Sequence, residues 1–173
     1  HDDFSIPDAL PALAEALDRP GLEGEPLLRR VINANFRVGR PSDAERLARY
    51  AANPTSPENM RTTALACLAL WPQPPVLDAV EGRYREYQAR SPKPAAQALA
   101  KVAQDLVKTA SPKVLTVLAR AIERLKVSDL LPVVHAAYGS DRATPYLQAQ
   151  LLGTMAELSD PKLGQFVESA LES

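Results

Sequence analysis

Apolar positions along this chain recur every three or four residues in nine separate stretches, with polar residues filling the intervals. That spacing puts the apolar side chains on one stripe of an α-helix. The first stretch carries Leu10, Leu13, Ala14 and Leu17, with Asp8 as its cap and Pro11 in its first turn. The second carries Leu28, Val31, Ile32 and Asn35. The third, with Ala44, Leu47, Ala48 and Ala51, opens at Ser42, three residues before Glu45, the spacing of a capping box. The fourth spans residues 57–71, with Met60, Ala64, Cys67, Leu68 and Trp71 in line. It is apolar nearly all round from Ala64 on, which places it between neighbours. The remaining five are led by Leu99, Leu115, Leu130, Leu147 and Leu163, and Gly139 stops the seventh.

Four Ser/Thr/Asp-Pro pairs stand just ahead of such stretches: Ser56-Pro57, Ser111-Pro112, Thr144-Pro145 and Asp160-Pro161. The hydroxyl or carboxylate can accept from the free N–H groups of a first helical turn. Proline suits the next position, where no N–H is needed. Each pair therefore predicts a helix start. Taken two by two, the helices give repeats beginning near Asp8, Ser42, Pro94, Ser128 and Asp160, at steps of 34, 52, 34 and 32 residues. Removing an insertion of about 18 residues from the second step restores a period typical of stacked helix pairs. A single pair cannot bury its stripe alone, so neighbours must stack. The prediction is an all-α protein, an α-solenoid of about four helix pairs plus a terminal helix, forming one repeat domain over residues 1–173. Pro132 falls one turn into the seventh stretch, where it would remove a backbone hydrogen bond and bend the helix. A bent first helix is a habit of HEAT repeats. The Trp and Gly-Tyr consensus of tetratricopeptide repeats is not visible, so the solenoid reads as HEAT-like.

The period is interrupted by a non-repeat insertion at residues 72–93. Pro72, Pro74 and Pro75 end the fourth helix. Residues 76–87 read either as extended chain or as a short helix broken by Gly82. Segments this long inside a compact domain are often functional. The first reading is a clasp covering a solenoid groove; the second is a ligand site.

Charge narrows the partners. The formal net charge is −1, from 20 basic and 21 acidic residues. Nucleic-acid binders carry a basic excess, so no nucleic-acid partner is expected. No apolar run approaches the roughly 20 residues of a membrane span, and no leader segment is visible. The chain reads as a domain cut from something longer. The single cysteine, Cys67, rules out an internal disulfide or a cysteine-cluster metal site, and it reads as a buried packing residue. The two histidines, His1 and His135, show no metal-ligand spacing, and no glycine-rich phosphate loop occurs. No catalytic constellation emerges and no cofactor or metal is expected. Carboxylates such as Glu15, Asp43, Glu45, Asp105 and Glu123 read as solvated helix faces.

A few residues look odd for packing alone. Asn35 lies on an apolar stripe and must find hydrogen-bond partners; it would tie a loop or the next helix. Trp71 ends an apolar helix and would pack under the insertion. Arg61, Arg83 and Arg85 can stack or pair with carboxylates such as Asp78. The candidate binding residues are Asn35, Arg37, Arg61, Trp71, Arg83 and Arg85.

Within residues 33–85 the chain carries Asn33, Ala34, Asn35, Phe36, Arg37, Val38 and Gly39 in sequence. Met60 and Arg61, Ala64 and Leu65, Leu68 and Trp71 follow, then Asp78, Val80, Gly82, Tyr84 and Arg85 beyond the prolines. This pattern, over about a third of the chain, resembles the HEAT-repeat segment of large exported bacterial proteins described as membrane-bound dehydrogenase-like or PVC-type haem-binding proteins. Those proteins join a sugar-dehydrogenase-like β-propeller and a Cys-x-x-Cys-His cytochrome domain to the repeats. The resemblance implies a spacer or docking module between redox domains, in the periplasm or cell envelope. It implies no redox activity here, because that chemistry belongs to the propeller and the cytochrome. The expected function is a non-catalytic protein-interaction or interdomain scaffold, whose partner is another protein or neighbouring domains of the same parent chain. The alternative is a HEAT-like enzyme or small-molecule-binding domain using Arg61, Trp71 and Arg85.

Overall fold

A computed structural model describes residues 9–78, 80, 82–84 and 86–172. Among them nine α-helices form: α1 (Ala9–Glu15), α2 (Glu25–Val38), α3 (Pro41–Ala52), α4 (Glu58–Ala69), α5 (Lys93–Thr109), α6 (Pro112–Leu125), α7 (Leu131–Tyr138), α8 (Pro145–Glu157) and α9 (Leu163–Glu172). Consecutive helices pack as pairs: α1 with α2, α3 with α4, α5 with α6 and α7 with α8. Along the stack α3, α5 and α7 form one layer, and α2, α4, α6 and α8 the other. The arrangement is all-helical and solenoid-like, with α9 packed on α8 beyond the fourth pair. A core runs without a break from Leu17 to Leu158. Ala44, Ala48 and Ala51 of α3 and Ala95, Ala98 and Ala103 of α5 are all buried. Small side chains at such contacts let helix axes come close. No helix among the described residues is long and apolar enough to cross a membrane.

Local signals set several boundaries as expected. Ser111 Oγ accepts from the Val114 N–H and Thr144 Oγ1 from the Leu147 N–H, each ahead of a proline in the first turn. Asp160 Oδ1 accepts from the Lys162 N–H just before α9. Three starts differ from the prediction. Pro57, not Ser56, flanks α4. At α3 the cap is Arg40, whose N–H donates to Asp43 Oδ2 at 2.9 Å, so the reciprocal carboxylate is Asp43 rather than Glu45. Pro132 lies in the first turn of α7, not one turn in. A 3-10 turn, Ser128–Leu130, precedes it, because proline offers no N–H to extend an α-helical ladder backwards. Asp8, expected to cap α1, and His1 lie outside the described residues.

Asp43 also corrects the solvated-face reading. It is wholly buried, and Arg46 Nη1 donates to its Oδ1 at 2.8 Å. Arg46 Nε donates to Asp18 Oδ2 at 2.6 Å, and Nη1 also to Asn35 Oδ1 at 2.9 Å. Asn35 Nδ2 completes the network by donating to the Ala14 and Val31 carbonyls. The amide thus ties α2 to α1 and to the next helix, the structural role expected of it.

Arginines repeatedly meet the carbonyl ends of helices, where the backbone leaves orphan acceptors and partial negative charge. Arg61 Nε donates to the Ala51 carbonyl of α3 at 2.7 Å. Arg142 donates to the Val107 and Lys108 carbonyls of α5, both at 2.7 Å. The third instance, Arg90, belongs to the insertion.

Candidate functional site

Among the described residues between α4 and α5 there is no helix. Gly82, at φ 65°, turns a short hairpin whose antiparallel bridge joins Leu77 and Tyr84. Within it the Asp78 N–H donates to the Arg83 carbonyl and the Gly82 N–H to the Asp78 carbonyl. The extended reading of this segment therefore holds, with Gly82 as turn rather than helix breaker.

Two anchors hold the insertion against α2 and α4. The first is Asp78, buried and contacted from α2: Asn33 Nδ2 donates to both of its carboxylate oxygens at 3.0–3.1 Å, and Arg37 Nε lies 3.9 Å away. The Val80 N–H donates to the same carboxylate. The second is Arg90. Its guanidinium stacks on the Trp71 ring, 4.2 Å from the centroid, and lies 5.1 Å from the Phe36 centroid. Nη1 donates to the Phe36 carbonyl at 2.7 Å and Nε to the Trp71 carbonyl at 3.1 Å. One cation thereby closes the C-terminal ends of α2 and α4 together. Burial pulls the Arg90 pKa down, opposed by nearby Tyr87 and Cys67. Gly39, at φ 72°, caps α2 beneath this group, and a methyl on its Cα would overlap Arg90 Nη1.

Trp71 is only 1 % exposed and packs under the insertion, where Arg90 stacks on its ring. The hairpin reaches back to α2, so the insertion spans the first and second helix pairs.

Beneath the hairpin lies a cavity of about 160 Å³, walled by Ile32 and Phe36 of α2, Ala66 and Leu70 around the end of α4, and Leu77 and Val80 of the hairpin. Cys67 lines it. The expectation of a fully buried cysteine is corrected to a half-buried one, open to this cavity. Burial pushes its thiol pKa up to about 12, with Arg90 opposing and Asp78 reinforcing the shift. A larger recess, about 600 Å³, lies between the loops leading into α2 and α4 and includes Arg19, Glu23, Tyr50 and Asn59. Arg29, Asn33, Thr63, Asp78 and Tyr87 also line the smaller cavity, which is bordered by none of Asn35, Arg37, Arg61, Trp71 and Arg83.

Of the six candidates, Arg37 and Trp71 meet the insertion from α2 and from the end of α4, and Arg83 lies exposed on its hairpin. Asn35 is buried and engaged in the α1–α2–α3 network. Arg61 is buried against α3, ten residues before Trp71, about 15 Å along a helix. Arg61 and Trp71 therefore do not converge. Arg85 lies outside the described residues. Sequence reasoning missed Arg90 and Asn33 as anchors. Asn33 stood only inside a family pattern, and nothing local marks Arg90, whose Phe36 contact is 54 residues away.

A separate cluster joins the last helices. His135 Nε2 lies 2.5 Å from Asp160 Oδ2, its ring stacks on Phe166 at 4.8 Å, and Tyr138 meets Phe166 edge-on. His135 is partly buried in packing, as its apolar setting suggested. Among the described residues no group of three or more His, Cys, Asp or Glu side chains is placed to hold a metal. Comparisons with protein-family models, curated proteins and solved structures returned no match.

Proposed function

We propose that this chain is a non-catalytic interaction module: a HEAT-like solenoid that scaffolds a protein partner or neighbouring domains of a larger parent chain. The observation that carries the reading is the distribution of exposed apolar side chains. Val76, Leu77, Val80 and Tyr84 are 36–70 % exposed and fall together in the insertion. Exposed apolar groups scattered singly are ordinary, whereas a contiguous set marks an interaction surface. The Asp78 and Arg90 anchors hold this set on the body of the solenoid, which limits the ordering cost of binding.

The family resemblance supports a parent of the exported redox type and a periplasmic or cell-envelope location, with the repeats as spacer between redox domains. The alternative, an enzyme or small-molecule domain built on Arg61, Trp71 and Arg85, draws less support, because Arg61 and Trp71 point to different neighbours.

A photo-crosslinking side chain placed at Tyr84 tests the interaction reading, with Gln104 on the exposed face of α5 as control. Defined adducts at position 84, absent at 104 and lost on Leu77→Ser, are expected. Equal adducts at both positions, or none at 84, contradict it.

A further inference from the structure

We propose that the cavity between α2, α4 and the hairpin is a binding site for a small planar apolar molecule carrying one N–H or O–H donor, of the phenol or indole class. This goes beyond the interaction reading and does not depend on it. The volume is the first argument. About 160 Å³ is close to that of an apolar cavity known to stay dry and take up benzene, roughly 150 Å³. The walls are the second. Ile32, Phe36, Leu70, Leu77 and Val80 present carbon, so a flat hydrocarbon ring seated among them would gain dispersion contacts and cover apolar surface that is otherwise in water.

The third argument concerns polarity and sets the ligand's single donor. Asn33 lines the cavity, and its Nδ2 is fixed by donation to both oxygens of Asp78. Amide geometry then leaves Oδ1 as an oriented acceptor, which accepts from no donor among the described residues. Cys67 adds a neutral wall, since its thiol stays protonated at neutral pH. A ligand with one donor and an otherwise apolar ring satisfies Asn33 without burying an unpaired charge. The charged side chains at the cavity's edge are already engaged, Asp78 by Asn33 and Arg29 by Glu25, and a strongly hydrated ion would lose its water against carbon.

Titration calorimetry with phenol, indole and benzene on the full chain tests this, alongside the rate at which a thiol reagent labels Cys67. Saturable binding of phenol and indole is expected, at least about tenfold tighter than benzene, a ratio equivalent to one hydrogen bond. Bound phenol should slow Cys67 labelling. Ala66→Leu should fill the space and weaken phenol binding by more than tenfold; Cys67→Met, which fills from the adjacent position, serves if the first variant misfolds. Absence of saturable binding of all three probes would overturn the site. So would undiminished phenol binding by a folded cavity-filled variant. Benzene binding as tightly as phenol would overturn the role of Asn33.

Discussion

Replacing Arg90 by alanine removes a cation that closes two helix ends at once. The guanidinium makes two hydrogen bonds, to the Phe36 and Trp71 carbonyls, and stacks on the Trp71 and Phe36 rings. Hydrogen bonds to charged groups contribute about 1.5–3 kcal/mol each, and a partly desolvated cation–π contact about 1–2 kcal/mol. Against these stands the cost of burying the guanidinium, whose Nη2 is buried without a partner. The net loss should be about 2–4 kcal/mol, a large part of a domain's usual 5–15 kcal/mol. For a chain of this length that corresponds to a fall in Tm of roughly 6–12 °C, read from helical circular dichroism. Trp71 emission should shift to the red as the ring loses its cover. Arg90→Lys should recover less than half of the loss, because an ammonium can neither stack as a plane nor span two carbonyls. Gly39 supplies the internal control. Gly39→Ala costs about 1–2 kcal/mol from its left-handed backbone alone, plus a collision with Arg90 Nη1 that exists only while Arg90 is present. The double variant should therefore be less destabilised than the sum of the singles. Strict additivity, or an Arg90→Ala protein with unchanged Tm, would refute this account of the insertion's anchor.

Three further outcomes follow from buried or shifted groups. Asn35→Ala leaves Arg46 and two carbonyls short of partners inside the α1–α2–α3 network and should cost about 2–4 kcal/mol in urea unfolding; a change below 0.5 kcal/mol would show that the network is not structural. At Asp160, desolvation raises the pKa but is outweighed by hydrogen bonds from His135 and the Lys162 N–H, so the native value lies below that of an ordinary aspartate. Its stabilisation is then present above about pH 4 and lost as the pH falls through the lowered native value; Asp160→Asn should flatten this acid limb of stability, and an unchanged limb would contradict the pairing. With its thiol pKa near 12, Cys67 should react with a disulfide reagent at pH 8 on the order of a thousandfold more slowly than a free cysteine; labelling at the free rate would show an ionised, open thiol.

Much of the helical frame was legible because its signals are local. Ser111-Pro112 and Thr144-Pro145 carry acceptor and proline within two residues, and both cap as expected. The same reading failed at Ser56-Pro57, where proline itself takes the flanking position. It also misplaced the cap of α3, where Arg40 and Asp43 satisfy the geometry two residues earlier than Ser42 and Glu45. The site was less legible because its contacts are distant in sequence. Trp71 was marked by its place at the end of an apolar run, but Arg90 looked like any solvated arginine. Its role depends on Phe36 and Trp71 carbonyls brought together only by the stacking of α2 on α4. Asp43 showed the same limit: a lone carboxylate on a helix reads as part of a wet face, while the Arg46 that donates to it is itself fixed by Asn35 of α2.

The central claim is that the insertion is a docked clasp bearing a fixed apolar hairpin, not a free loop, and amide hydrogen exchange tests it most directly. The N–H groups of Asp78, Gly82 and Arg90 donate to the Arg83, Asp78 and Pro72 carbonyls. In the intact protein these three amides should exchange at least tenfold more slowly than unstructured chain, and Arg90→Ala should abolish the protection at Arg90 while sparing α6 and α8. Exchange of all three at the unprotected rate in the intact protein would contradict the clasp, and with it the fixed surface on which the interaction reading rests.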